Sequence, residues 1–178
     1  GRGPLAGPVA TCATRTSLSK SEASKLLKGI RDSKKATKKE REEWYTKAII
    51  WKKQKKINWK VAFCSSQHID SYGIVPSIQK CITKSVQGVE GNRNDIYLLD
   101  GGLKLPKEYK HQTTIIKGDD KEPLIALAAT IAKVVRDKRM TLLAKKFKKS
   151  LGLILPQLFA LLSSKSDLRS PSHIYEPL

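Results

Sequence analysis

Several residue types are scarce in this chain, and each scarcity removes a class of protein. Cysteine occurs three times in 178 residues, at Cys12, Cys64 and Cys81. That odd number and wide spacing exclude a disulfide framework and a zinc site, as expected of a protein in a reducing cytoplasm. Histidine is as sparse, and His68, His111 and His173 share no spacing that would make a catalytic triad or a metal site. The one methionine is Met140, so the sequence in hand is expected to be processed, trimmed or incomplete at its start. No run approaches the about eighteen apolar residues of a membrane span, and no signal peptide is visible, so no membrane partner is expected.

Acidic residues are also in short supply. Sixteen Asp and Glu face 35 Lys and Arg, a formal net charge of +19, which calls for a polyanionic partner such as nucleic acid. A basic proteome would give the same total, so charge alone does not decide. The remainder is ordinary: 39% hydrophobic and 29% charged residues at this length fit one domain able to bury a core.

The informative stretch runs from Ile115 to Met140. A β-branched segment stops at Lys117-Gly118-Asp119, and Ile125, Ala128, Ala129, Ala132 and Val135 then recur at helical spacing to give a small-residue face that allows close packing. Pro123 suits the first turn of that helix. Asp119 and Asp120 are expected at or just before its positive end, and Lys133, Arg136, Lys138 and Arg139 at the other. Asp119 alone reads as a helix cap. A second acid changes its weight: Ile96 to Leu99 reads as a strand ending in Asp100 before Gly101-Gly102. Two strands that each end in an Asp can bring both carboxylates to one sheet edge, where their oxygens suit a hard divalent cation. Asp137 is expected to be structural, because eighteen residues of helix put it on the order of 27 Å from Asp119.

YLLDG, then KGD, then AATIAKVVRDKRM, together with GRGPLAGPV at Gly1 to Val9 and DSKK at Asp32 to Lys35, resemble ribonuclease HII in the family's order and roughly its spacing, over residues 1 to about 147. The resemblance implies an α/β fold of the ribonuclease H-like kind, a mixed central β-sheet flanked by helices. Residues 1–147 would form the catalytic domain, in part, and 148–178 a divergent C-terminal helical tail. It further implies an endoribonuclease that hydrolyses the RNA strand of RNA–DNA hybrids, or cuts 5′ to a ribonucleotide embedded in duplex DNA, by two-metal phosphodiester hydrolysis with Mn²⁺ or Mg²⁺. Asp100 and Asp119 would be the catalytic carboxylates and metal ligands. Gly1, Arg2 and Gly3 would read the ribose 2′-OH, and Ser33, Lys34 and Lys35 would grip phosphates; a monomer is expected.

Two departures from the family matter. Relatives carry an Asp-Glu pair just before the GRG, on a strand in the middle of the sheet. Neither that N-terminal strand nor two of the family's four metal carboxylates is among the residues in hand. Near the other end the family's Gly-Tyr-Gly-Thr element is missing, and Pro171 to Ile174 only faintly echo its closing motif. The alternative function is therefore a catalytically impaired, basic nucleic-acid-binding remnant of the family. A basic ribosome-associated protein accounts for the charge but not for two acids at paired strand ends.

Further expectations concern the elements. Leu5 to Thr14 reads as a buried strand, Gly29 to Lys35 as a loop and Trp59 to Ser65 as a strand. Thr37 and Glu40 form a capping box for a helix with Trp44, Tyr45, Ala48 and Ile49 on one face. Asp70 is expected to cap the helix through Ile78, Ile82 and Val86. Between Ile30 and Lys60 twelve Lys or Arg face four acids, the strongest candidate for phosphate contact, although such runs are often only a solvated face.

Overall fold

Two capping boxes organise the first half of the chain. The computed structural model describes residues 7–166. Strand β1 (Val9–Thr16) leads to helix α1 (Lys20–Leu26), where the Ser19 hydroxyl accepts from the Glu22 N–H and the Glu22 carboxylate accepts from the Ser19 N–H. Ser19-x-x-Glu22 is a capping signature inside a stretch whose polarity otherwise reads as loop. Helix α2 (Lys38–Lys53) starts with the expected box of Thr37 and Glu40. Strand β2 (Ile57–Cys64) then pairs antiparallel with β1, Val9 opposite Cys64 and Thr16 opposite Ile57.

Helices α3 (Ser66–Tyr72) and α4 (Ile74–Gln87) follow, separated by Gly73 at φ +80°. This corrects the expectation for Asp70, which lies inside α3. Ser65 caps that helix by accepting from the His68 N–H, and α4 begins after Gly73 with no side-chain cap. A glycine at positive φ breaks the chain direction at no steric cost, so the acid is not needed there.

Strand β3 (Ile96–Asp100) pairs parallel with β4 (His111–Ile115), with Asp100 opposite Ile115. A one-turn helix α5 (Gly118–Lys121) and the long α6 (Pro123–Ser166) complete the order. The strands therefore form two separate pairs, β1–β2 and β3–β4. A cavity of about 710 Å³ lies between them, bordered by Cys12 and Thr14 of β1, Leu98 and Asp100 of β3, and Ala128 and Ala129 of α6. Among the described residues, no helix is long and apolar enough to cross a membrane.

The chain divides into two compact units, residues 1–138 and 139–178. In the first, one apolar cluster joins Leu27, Ala48, Trp51, Ile57, Leu127 and Ile131, and α2 is held to it by Ala48 and Trp51. Trp44 is half-buried against this cluster. A second cluster joins Ile82 and Val86 of α4 to Tyr97 and Leu99 of β3, with Leu105 and Tyr109 closing it. Alternation along β3 sends Tyr97 and Leu99 into that core and leaves Ile96 and Leu98 exposed. Each buried Leu or Ile contributes about 1.5–3 kcal/mol, so the second cluster fixes the strand that ends in Asp100. In the second unit the helix presents Leu142 and Phe147 to solvent.

Candidate active site

Parallel pairing brings the ends of β3 and β4 level, so Asp100 finishes one strand beside Ile115 on the other. After Ile116 the backbone turns through Lys117, in the left-handed region at φ +55° and ψ +48°. That turn returns the Gly118 N–H to the end of β3, where it donates to Asp100 Oδ1 at 2.9 Å. Asp119 follows at once in α5 and is buried, with 8% of its side chain exposed. The two acids of the sequence analysis thus come near each other, but only Asp100 ends a strand: β4 stops at Ile115, and Asp119 sits four residues on, in α5.

The loop before α2 joins them from the other side. Asp32 is buried and accepts from the Lys34 backbone N–H through Oδ1 at 2.8 Å, a turn that only a short acid or amide side chain makes readily. The Lys34 side chain, 77% exposed, reaches Asp119 Oδ2 at 3.2 Å. Lys35 meets both oxygens of Asp120, at 2.7 and 2.9 Å. Ser33 is buried, and its carbonyl accepts from Arg41 at 3.2 Å. Among the expected phosphate-gripping residues, then, both lysines sit on carboxylates and the serine faces inward. Gly1, Arg2 and Gly3 lie outside the described residues, as do Pro171 to Ile174.

The charges in this cluster do not balance evenly. Burial pushes the Asp119 carboxyl above its usual range, the Lys34 hydrogen bond opposes that, and the negative charges of Asp100 and Asp32 add to the rise. For Lys34 the Asp119 hydrogen bond comes first in holding the ammonium above its usual range, with the charges of Asp119, Asp32 and Asp100 behind it. The exposed lysine gains from the contact, and the buried acid loses more to desolvation than the lysine returns. Asp120, exposed, is held below its usual range by Lys35.

Such an arrangement can attract and hold a cation. Its donors are carboxylate oxygens, the right chemistry for a hard divalent ion, and the Lys34 ammonium already occupies Asp119 as a built-in positive charge. Among the described residues no three His, Cys, Asp or Glu side chains come together closely enough to hold a metal ion, so the site offers two carboxylates. Asp137 pairs with Lys133 one turn away, at 3.6 Å, and takes no part.

Asp32 and Gly118 stand within the DSKK and KGD segments, but the sequence pattern gives neither a role of its own. The signal for Asp32 is its place two residues before Lys34 in a turn, and the signal for Gly118 is a glycine between a strand end and an acid.

A family model described as ribonuclease HII matches residues 1–153. The chain is 38% identical to ribonuclease HII of Shouchella clausii over 148 residues, which cover 83% of this chain and 52% of that protein. It is 35% identical to ribonuclease HII of Caldicellulosiruptor bescii over 147 residues, 83% of this chain and 66% of that protein. The chain thus spans between about half and two thirds of the length of these relatives. In the solved complex of PCNA with RNase HII from Archaeoglobus fulgidus, one chain superposes with a TM-score of 0.62 at 24% identity, over 83% of this chain and 73% of that one. Ribonuclease H2 from Pyrococcus horikoshii gives 0.57 at 24% identity with the same coverage. These two likenesses are of fold, and they make the arrangement of helices and paired strands a ribonuclease H-like α/β fold.

Proposed function

The chain belongs to the ribonuclease HII family, and from that premise we propose that it carries part of the site of an endoribonuclease. Its substrate is the RNA strand of an RNA–DNA hybrid, or the bond 5′ to a ribonucleotide embedded in duplex DNA. The observation that carries the reading is the nearness of Asp100, at the end of β3 and bonded by the Gly118 N–H, to buried Asp119 in α5, which Lys34 contacts. Asp100 and Asp119 hold a divalent ion, Mn²⁺ or Mg²⁺. When bound, such an ion supplies Lewis acidity at the phosphate and a more acidic water. The protein's own part is to keep the two carboxylates pointed together in a partly dry site, and to present cations to the substrate backbone.

Lys34 and Lys35 are cations held in reserve: both side chains are mostly exposed and each is paired with one carboxylate. A phosphate can compete for them once the carboxylates are otherwise neutralised. Gly1, Arg2 and Gly3 contact the ribose 2′-OH by family likeness. The protein acts as a monomer in the cytoplasm, with residues 1–147 carrying the site and 148–178 forming a divergent C-terminal tail.

A second reading has its own support. Two carboxylates are few for the ligand demand of Mg²⁺ ions, and a net charge of +19 suffices for binding hybrids without cutting them. One experiment separates the two. A DNA duplex with a single ribonucleotide is incubated with Mn²⁺ or EDTA, using this chain and a version extended at its N-terminus by an Asp-Glu-bearing strand. Mn²⁺-dependent nicking by either, lost in Asp100→Asn, supports the nuclease. Salt-sensitive hybrid binding that ignores Mn²⁺, with no nicking by either, supports the binding protein.

A further inference from the structure

We propose that Gly118 is a positioning residue for Asp100: the absence of a Cβ and the presence of its N–H together set the direction of that carboxylate. The inference rests on the reading of Asp100 as an ion ligand and extends it to a residue that bears no functional group.

Gly118 is not there for backbone freedom. Lys117 takes the left-handed conformation of the turn, at φ +55°, and the positive-φ glycines of this chain are Gly7, Gly29, Gly73 and Gly101 among the described residues. What Gly118 supplies is space. A Cβ at this position would lie 2.8 Å from Ile125 Cδ1, 3.2 Å from Asp100 Oδ1 and 3.4 Å from Ile125 Cγ2. The backbone cannot retreat easily, because the Gly118 carbonyl accepts from Glu122 at 2.8 Å while its N–H donates to Asp100 at 2.9 Å. As the first residue of α5, it is held by that helix through its carbonyl and by the end of β3 through its N–H.

The consequence falls on Asp100. A hydrogen bond from a backbone amide to a carboxylate is charge-assisted and directional, and this one commits Oδ1 to the fold. No other hydrogen bond to the Asp100 side chain is seen among the described residues, so Oδ2 carries no protein donor while Oδ1 keeps one acceptor site beside the amide. The same amide begins the turn that carries Asp119, so one peptide unit couples the directions of both acids. Any side chain at 118 must push Ile125, which can yield into the neighbouring cavity that it borders, or rotate the carboxylate. Ligand-orienting groups of this kind typically change metal affinity about 10- to 100-fold when removed.

The test removes the cheap way out. Ile125→Val deletes Cδ1, the nearest obstacle, so that in Gly118→Ala/Ile125→Val the new methyl meets chiefly the Asp100 oxygen. Mn²⁺ binding is followed by the electron paramagnetic resonance of the free ion, beside thermal unfolding of each variant. Ile125→Val should bind Mn²⁺ like the parent, the double variant about 10- to 100-fold more weakly at a similar Tm, and Asp100→Asn should lose binding. Parent-like binding by the double variant, with binding lost in Asp100→Asn, overturns the role of Gly118 alone. Parent-like binding by Asp100→Asn, or a parent that binds no Mn²⁺, overturns the reading of Asp100 and this inference with it. A measurement that needs no ion stands beside these: the Gly118 amide proton should resonate downfield and move upfield in Asp100→Ala. An amide unmoved by that substitution overturns the proposal even if the double variant fails to fold.

Discussion

Asp119 keeps 8% of its side chain exposed and faces the negative charges of Asp100 and Asp32, so folding around its ionised form costs free energy despite Lys34. A carboxyl whose folded pKa is raised favours the folded state most when protonated. That contribution is complete below the ordinary value of 3.8 and is lost as pH rises through the raised folded value. Asp119→Asn, which never ionises, should therefore unfold at a higher temperature than the parent at neutral pH in EDTA. The difference should shrink as pH falls and vanish below 3.8, and the same variant should bind no Mn²⁺. Equal Tm values for parent and variant at neutral pH would sink the claim that this acid is held for function at the expense of stability. Lys34 makes the complementary case. Replacing it by Gln should weaken binding to a hybrid duplex in Mn²⁺ and reduce the salt dependence of log K by about one counterion. An unchanged slope in a salt titration would mean that the ammonium stays on Asp119 and never reaches a phosphate.

Helix α2 carries six Lys or Arg against three Glu, and its start depends on one reciprocal cap. The Thr37 N–H and hydroxyl and the Arg31 guanidinium hold the Glu40 carboxyl down to about 2 from the ordinary 4.5. Here the sign is opposite to that of Asp119: the stabilisation is present above 4.5 and is lost as pH falls through about 2. Glu40→Gln should lower the Tm at neutral pH, with the deficit closing between those values, and Thr37→Ala should cost about 1 kcal/mol in chemical unfolding. The Thr37 cap was legible because its chemistry is local: a hydroxyl, three residues, a carboxylate. So was β3, since Ile96 to Leu99 ends at Asp100 in both the pattern and the structure. Less legible were features set by tertiary contacts. The pattern sets β2 to begin at Trp59, yet it begins at Ile57, whose buried side chain joins α2 and α6 in one cluster. It sets Asp70 as a cap, yet Gly73 turns the chain instead. Asp100 could be read from its strand end and Asp119 only as an acid soon after one, since it falls in α5, whereas Asp32 enters the site only because a loop 68 residues before Asp100 folds back upon it.

Over the whole molecule, the two strand pairs stand apart with an apolar cavity between them, and Ile96 and Leu98 of β3 stay exposed beside it. A two-stranded pair is marginal without further cover, and here cover comes chiefly from helices on the faces that hold Trp51, Val86 and Tyr97. A strand seated between β1 and β3 would join the pairs into one mixed sheet and bury that open face. Because Asp100 borders the same cavity, acids at the corresponding end of such a strand would add to the two-carboxylate site. An apolar strand bearing an Asp-Glu pair, added ahead of Gly1, should therefore do two things at once: raise the Tm and confer Mn²⁺-dependent nicking of a ribonucleotide-containing duplex. The two effects are separable, since changing the added acids to Asn and Gln should keep the gain in Tm and abolish nicking. An extension that leaves the Tm unchanged would show that the cavity is not a strand seat, whatever its acids do to activity.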